Sequence, residues 1–227
     1  MGIEGDTAAE GLGANWSRVK IGTTAIDCLD VPPGRLATIV TSLEMLERPP
    51  IRDERGGRDF TLRHAVRPKA EWYRELFRRV GQDWLWFSRL LMKDRELRAI
   101  LDDASIEIYV LRSAGGEDSG LLELDFRVPE ECELSFFGLV PALVGSGAGR
   151  WLMNRALEIA WSRPIRRLWV HTCTQDHPAA MPFYMRSGFR PFHRYVEILD
   201  DPRLTGALPR DAAPHAPIIG DGSPLPT

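Results

Sequence analysis

The chain has 227 residues, 44% of them hydrophobic and 27% charged, which is enough apolar material for one globular domain with a sizeable core. Its formal net charge of −3 supplies no global basic field, so neither nucleic acid nor an anionic membrane is expected as a partner, while small anions stay open. Cys28, Cys132 and Cys173 are odd in number, widely spaced and free of any C-x-x-C pair, which argues against a disulfide framework or a thiolate zinc site and for a reducing, cytoplasmic setting. The opening residues lack a basic patch followed by an apolar run, and no apolar stretch approaches spanning length, so a soluble, unprocessed protein is expected.

Residues 1–33 are Gly-rich and polar and close on Pro32-Pro33, the composition of a loosely held leader. A domain is expected over 34–200. Residues 36–46 are rich in β-branched side chains and read as a strand, 47–59 combine Pro, Gly and charge and read as a loop, and 60–66 alternate as a second strand. After Pro68, Trp72, Leu76 and Phe77 fall at helical spacing, and residues 83–101 predict a second, continuous helix carrying Leu85, Leu97 and Leu101 on its apolar face. Three short runs at 105–112, 120–128 and 132–140, separated by turn-like segments, predict an antiparallel meander.

A glycine-rich turn follows, then a helix from about Gly149 to Ser162, a strand over "RRLWVHTCT", a short helix between Pro178 and Gly188, and a last strand over "FRPFHRYVEIL". Strand, turn, helix and strand from Cys132 to Thr174 have the length and order of a right-handed crossover, so those two strands should be parallel neighbours in an otherwise mixed sheet. Beyond Asp200 the prolines recur without period, and 201–227 reads as a Pro-rich tail, extended on the surface or disordered.

The stretch "LVGSGAGRWLMNRAL" carries the most chemistry. Backbone N–H groups at Gly145, Gly147 and Gly149, followed at once by a helix start, make a concave set of donors suited to phosphate, although a tight strand-to-helix turn needing positive φ explains an isolated G-x-G-x-G equally well. A dinucleotide fingerprint fails, because its third glycine would fall on Arg150 or Leu152, and no Gly-Lys-Ser/Thr triplet exists for a Walker A loop.

"GLVPALVGSGAGRWLMNRAL" resembles the acyl-CoA-binding motif of the GNAT superfamily of N-acyltransferases, in which a strand ending in V-x-P leads into Arg/Gln-x-x-G-x-G/A and a helix. Leu139 and Pro141 match its start, and Gly147 and Gly149 match its two signature glycines. "DHPAAMPFYMRSGF" is similar to the family's second segment, with Ala180, Tyr184, Gly188 and Phe189 on the pattern. The resemblance implies an α/β (α+β) fold: a mixed, mostly antiparallel sheet flanked by helices, whose central parallel pair splays apart near Phe136–Leu139 and Thr172–Thr174 around acetyl-CoA. It places the cofactor on Phe137, Leu139, the backbone donors of Val144, Gly145, Ser146, Gly147, Ala148, Gly149 and Arg150, and His177. Two positions depart from the pattern. Val144 stands where Arg or Gln is usual, with Arg150 a candidate to compensate, and His177 stands where Asn is usual, with helix capping or solvent exposure as its plainer reading.

For chemistry, the resemblance assigns Tyr184 as the general acid for the leaving thiolate, against the alternative of an aromatic plug under a helix. Glu133 is the first candidate for the base, with Glu123, Asp125, Glu130 and Glu131 as competitors and a water chain as the alternative to any single residue. Trp72, Tyr73, Trp84, Trp86 and Phe87 are candidates for an aromatic wall of the acceptor pocket or for ordinary core. No histidine spacing supports a metal. The function implied is an acetyl-CoA-dependent N-acetyltransferase acting on a small-molecule primary amine by direct transfer. The alternatives are a protein N-terminal or lysine acetyltransferase and a non-catalytic CoA-binding module; homodimerisation stays open.

Overall fold

The computed structural model describes residues 16–21, 24–54 and 60–220. Within the expected leader, β1 (Trp16–Ile21) and β2 (Thr24–Leu29) pair antiparallel as a separate hairpin. Then follow β3 (Arg35–Met45), β4 (Thr61–His64), α1 (Ala70–Gly81), α2 (Ser88–Leu91), α3 (Asp94–Leu101), β5 (Ile106–Arg112), β6 (Asp118–Asp125) and β7 (Glu131–Leu139). The chain closes with α4 (Ala148–Ala160), β8 (Arg167–Cys173), α5 (Ala180–Arg186) and β9 (Arg190–Asp200).

The main sheet has seven strands in the order β4-β5-β6-β7-β8-β3-β9. β5, β6 and β7 form the expected antiparallel meander, and β7 with β8 is the parallel pair joined through α4. The β-branched composition of residues 36–46 predicts a strand, but only the tertiary structure inserts β3 between β8 and β9, antiparallel to both. The central strands are covered on both faces, hence the nearly continuous burial of β6. On one face Tyr73, Phe77, Leu97 and Leu101 from α1 and α3 pack on Ile108, Val110 and Leu121. On the other, Trp151, Leu152, Ala156 and Leu157 of α4 and Tyr184 of α5 pack on Leu43, Leu122, Leu124 and Leu168.

Two expectations are corrected. The helix predicted over 83–101 is broken: a short 3₁₀ turn over Gln82–Trp84 ends at Leu85 with φ of 54°, and the extended backbone of Met92 and Lys93 separates α2 from α3. The cause is Trp86, which folds back so closely that a Cβ on Gly81 would lie 2.4 Å from its ring. The segment after Asp200 is not an extended tail as far as residue 220: Leu208, Ala212, Ala213 and Ala216 are buried against Leu36 and Leu85. Arg203 fixes it, its buried guanidinium gripping Asp201 and donating to the carbonyls of Ala212 at 3.1 Å and Ala216 at 2.6 Å.

Candidate active site

The central parallel pair holds register for only three residues, Glu131, Cys132 and Glu133 against Arg167, Leu168 and Trp169. Directly beyond it β7 carries a bulge, because Leu124 faces Leu134 while Glu123 faces Phe136, leaving Ser135 as the extra residue. A bulge bends its strand and increases its twist. β7 therefore leaves β8, and a cavity of about 810 Å³ opens between Phe136–Leu139 and Val170–Cys173, roofed by the 84–89 segment and α5.

At the C-terminal end of β7 the chain turns through Pro141–Leu143 into the glycine stretch. Gly145 and Gly147 have φ of 82° and 92°, which an L side chain rarely adopts. A Cβ at Gly145 would meet nothing within 4 Å, and at Gly149 only Leu139 and Phe183 at 3.8–3.9 Å, so the first is required by conformation rather than by crowding. Every other N–H in the turn is engaged: Val144 donates to Pro141 O, Ser146 to Leu143 O, and Ala148 to Ser146 Oγ. Among the described residues the N–H groups of Gly145, Gly147, Gly149 and Arg150 have no acceptor. The expected run of donors from Val144 to Arg150 is thus corrected to these four. Ser146 and Ala148 do not line the cavity, and Ala148 is core. The remaining four donors sit at the start of α4, the arrangement that fits a pyrophosphate.

Phe137, Leu139, Val144, Gly145, Gly147, Gly149, Arg150, His177, Tyr184 and Glu133 all line the one cavity. Tyr184 is 7% exposed, ringed by Phe137, Phe183 and Phe189, and its hydroxyl has no hydrogen-bond partner among the described residues. Burial, followed by the nearby charge of Asp176, raises its pKa, so the phenol keeps its proton at any working pH. Glu133 stands at the last parallel register position. Its pKa is raised, chiefly by desolvation and further by Asp125 and Glu123, while His171, with Nδ1 at 3.7 Å, pulls it down. His177 accepts the N–H of Ala179 on Nδ1 at 3.0 Å and meets Trp84 edge-on, so it holds the turn leading into α5 while lining the cavity.

The competitors for the base are otherwise occupied. Glu123 is fully buried and takes hydrogen bonds from Tyr73 and Arg89, Asp125 is held by Arg127, and Glu130 and Glu131 pair with Arg166 and Arg167. Trp84, Trp86 and Phe87 line the cavity, whereas Tyr73 is core and Trp72 bonds Asp118 away from it. Gly138 makes room for Trp86, since a Cβ there would lie 2.9 Å from the indole and 2.4 Å from Val80.

Several lining residues had no signal in sequence. Asp176 accepts from Trp86 Nε1, from Thr172 Oγ1 at 2.7 Å and from the Cys173 N–H at 2.8 Å, tying the roof to β8. Leu36, Thr38 and Val40 enter from β3 and Glu197 and Leu199 from β9. Burial raises the Cys173 thiol, so it stays protonated. Among the described residues no three His, Cys, Asp or Glu side chains gather as a metal site, and no helix is long and apolar enough to cross a membrane.

The sequence profile of the acetyltransferase (GNAT) family matches residues 68–189. No curated protein matches the chain in sequence. Among solved structures, a functionally unknown conserved protein of Staphylococcus epidermidis superposes with a TM-score of 0.51 at 14% identity, covering 74% of this chain and 64% of that one. A GCN5-related N-acetyltransferase from Sphaerobacter thermophilus gives 0.48 at 16% identity, covering 75% of this chain and 53% of that one, so the chain spans between half and two thirds of these two proteins. A spermidine N-acetyltransferase chimera from Vibrio cholerae and hSSAT gives 0.49 at 21% identity over 60% of this chain and 82% of that one. With more than half of its length matched by that profile, and with a mixed sheet whose single parallel pair parts over the cavity, the chain belongs to the GNAT family of acetyltransferases.

Proposed function

We propose that the protein transfers an acetyl group from acetyl-CoA to a primary amine of a small molecule, directly, with both substrates held in one cleft. The observation that carries this reading is a single cavity reaching from Glu133, at the apex of the splay, past Tyr184 to four unpartnered N–H groups at the start of α4. The thioester supplies an activated acyl carbon; everything else falls to this chain. Glu133, whose desolvation makes it a stronger base than an exposed carboxylate, takes a proton from the substrate ammonium directly or through one water, freeing the nitrogen lone pair to attack that carbon. N–H groups of β7 beyond the last β8 pair are left to donate to the acyl oxygen as charge grows on it. As the carbon–sulfur bond breaks, Tyr184 gives its hydroxyl proton to the sulfur and regains, through water, the second proton that the attacking nitrogen sheds as the amide forms, while Glu133 releases the first to solvent. The products are the amide and the free thiol.

The charges lining the acceptor half favour a cationic substrate. Arg89 and Arg127 are each spent on a carboxylate, Glu123 and Asp125, at 2.5 Å. Glu133, Asp176 and Glu197 have no arginine partner among the described residues, and Trp84, Trp86 and Phe87 add ring faces to the same wall. Thiol release from acetyl-CoA across a panel of primary amines tests the reading. Turnover is expected with at least one small amine, and Tyr184→Phe should lower kcat by roughly 10²-fold or more with little change in acetyl-CoA affinity. Release only with peptide amines would move the activity to protein acetylation. Cofactor binding without release for any amine would make the chain a CoA-binding module.

A further inference from the structure

Beyond the glycine turn, three guanidinium groups converge. Among the described residues Arg150 in the first turn of α4, Arg186 at the end of α5 and Arg52 in the segment after β3 line a second cavity of about 450 Å³ with Ile51 and a single carboxylate, Asp53. Arg150 and Arg186 also line the large cavity, so the two spaces meet there. Among the described residues Nη1 of Arg150 is buried without a partner, and its charged form is disfavoured by burial and by the like charges of Arg52 and Arg186.

The convergence is built by the fold. Asn154, fully buried on α4, donates Nδ2 to the carbonyl of Arg52 at 2.7 Å and to Oε1 of Glu54 at 2.9 Å, strapping residues 52–54 onto the helix. Arg52 in turn donates to the backbone carbonyl of Arg186. Glu54, the nearby acid that would neutralise it, is taken by Arg155 at 2.8 Å. Like charges held together inside a partly desolvated pocket oppose one another, and a dense anion turns that repulsion into binding; guanidinium is the side chain best matched to phosphate oxygens.

We propose that this pocket takes the 3′-phosphate on the adenosine ribose of the cofactor, so that the protein selects CoA thioesters over their 3′-dephospho forms. The inference rests on the acetyl-CoA reading above. In that reading the four free N–H groups of the glycine turn serve the pyrophosphate, and the third phosphate, a dianion, is the group left to meet the arginines. Arg52 then becomes a specificity residue contributed by a segment outside residues 68–189.

Calorimetry of the full chain with CoA and with 3′-dephospho-CoA tests this. Wild type should bind CoA about 10-fold to 100-fold more tightly, the worth of one or two charge-assisted contacts. Arg52→Gln should remove most of that preference by weakening CoA alone, and Arg52→Lys should keep part of it. Arg186→Gln gives a second reading should Arg52→Gln fail to fold. Equal affinity of the wild type for the two ligands overturns the assignment while leaving the cofactor reading intact. Equal weakening of both ligands in Arg52→Gln also overturns it, because the pocket would then serve the pyrophosphate. Binding of neither ligand by folded wild type removes the cofactor reading and this inference together.

Discussion

The two ends of the cleft are built by different means. The end proposed for the cofactor phosphates is made of backbone: a turn with Gly145 and Gly147 at positive φ, four N–H groups without acceptors among the described residues, and the start of α4, all within residues 145–150. The end proposed for the acceptor is made of side chains gathered from β3, the 84–89 segment, β7, β8 and β9, including Leu36, Trp86, Glu133, His171 and Glu197. A backbone cradle depends on local conformation more than on the identity of its side chains. A side-chain pocket depends on strands far apart in sequence arriving in register, and small packing changes reach it directly.

The sharpest way to break this division is at Glu133, where the largest effect is expected. Glu133→Gln should lower kcat/KM for the best amine by roughly 10²-fold at neutral pH, the usual worth of a general base, while leaving acetyl-CoA affinity unchanged. Because the carboxylate works deprotonated and its pKa is raised, wild-type kcat/KM should climb with pH through a value above the ordinary glutamate range and then level. That limb should vanish in the variant. A pH–rate profile that is the same in both proteins would transfer the proton to a water chain.

At the other end, Gly147→Asp would impose a side chain where φ is 92° and set a carboxylate among the phosphate donors. CoA affinity measured by calorimetry should fall by about 10-fold to 100-fold, the effect of strain and repulsion together, with acceptor preference at saturation unchanged. A shift in amine preference instead would show that the ends are not separable.

The smallest effect sharpens the comparison through packing alone. In Gly138→Ala the new methyl would lie 2.4 Å from Val80 and 2.9 Å from Trp86, so the indole must move off its hydrogen bond to Asp176. A stability loss of roughly 1–3 kcal/mol is expected, as for other overpacked cores, together with a raised KM for the amine and little change for acetyl-CoA. Thermal melts and the two KM values check it.

What could be read in sequence follows the same division. The glycine turn and the residues around Tyr184 are short, contiguous patterns whose meaning lies in local dihedrals and helix register, so they were visible before any fold was known. The broken helix over 83–101 was not, because its apolar period continues across a break caused by Trp86 packing against Gly81 and Gly138, two residues far apart in the chain. Polar, Pro-rich composition likewise gave no hint that Leu208 and Ala213 join a core, since the arginine that holds them, Arg203, is neutralised by Asp201 and donates to carbonyls brought together only in the folded segment.

From the amino-acid order alone came β3 to α1 and β5 to β9 in their succession, the crossover that makes β7 and β8 parallel, the glycine turn before α4 and the candidate acid, each set by hydrophobic period, by glycine conformation or by spacing within a few residues. The tertiary structure alone decided where β3 lies, that a bulge at Ser135 opens the pair, which four N–H groups remain free, and that Arg52, Arg150 and Arg186 meet. Those outcomes depend on strand register, on competition among neighbouring acceptors and on charges brought together from distant parts of the chain, and the free energy of each is fixed only once the whole chain has packed.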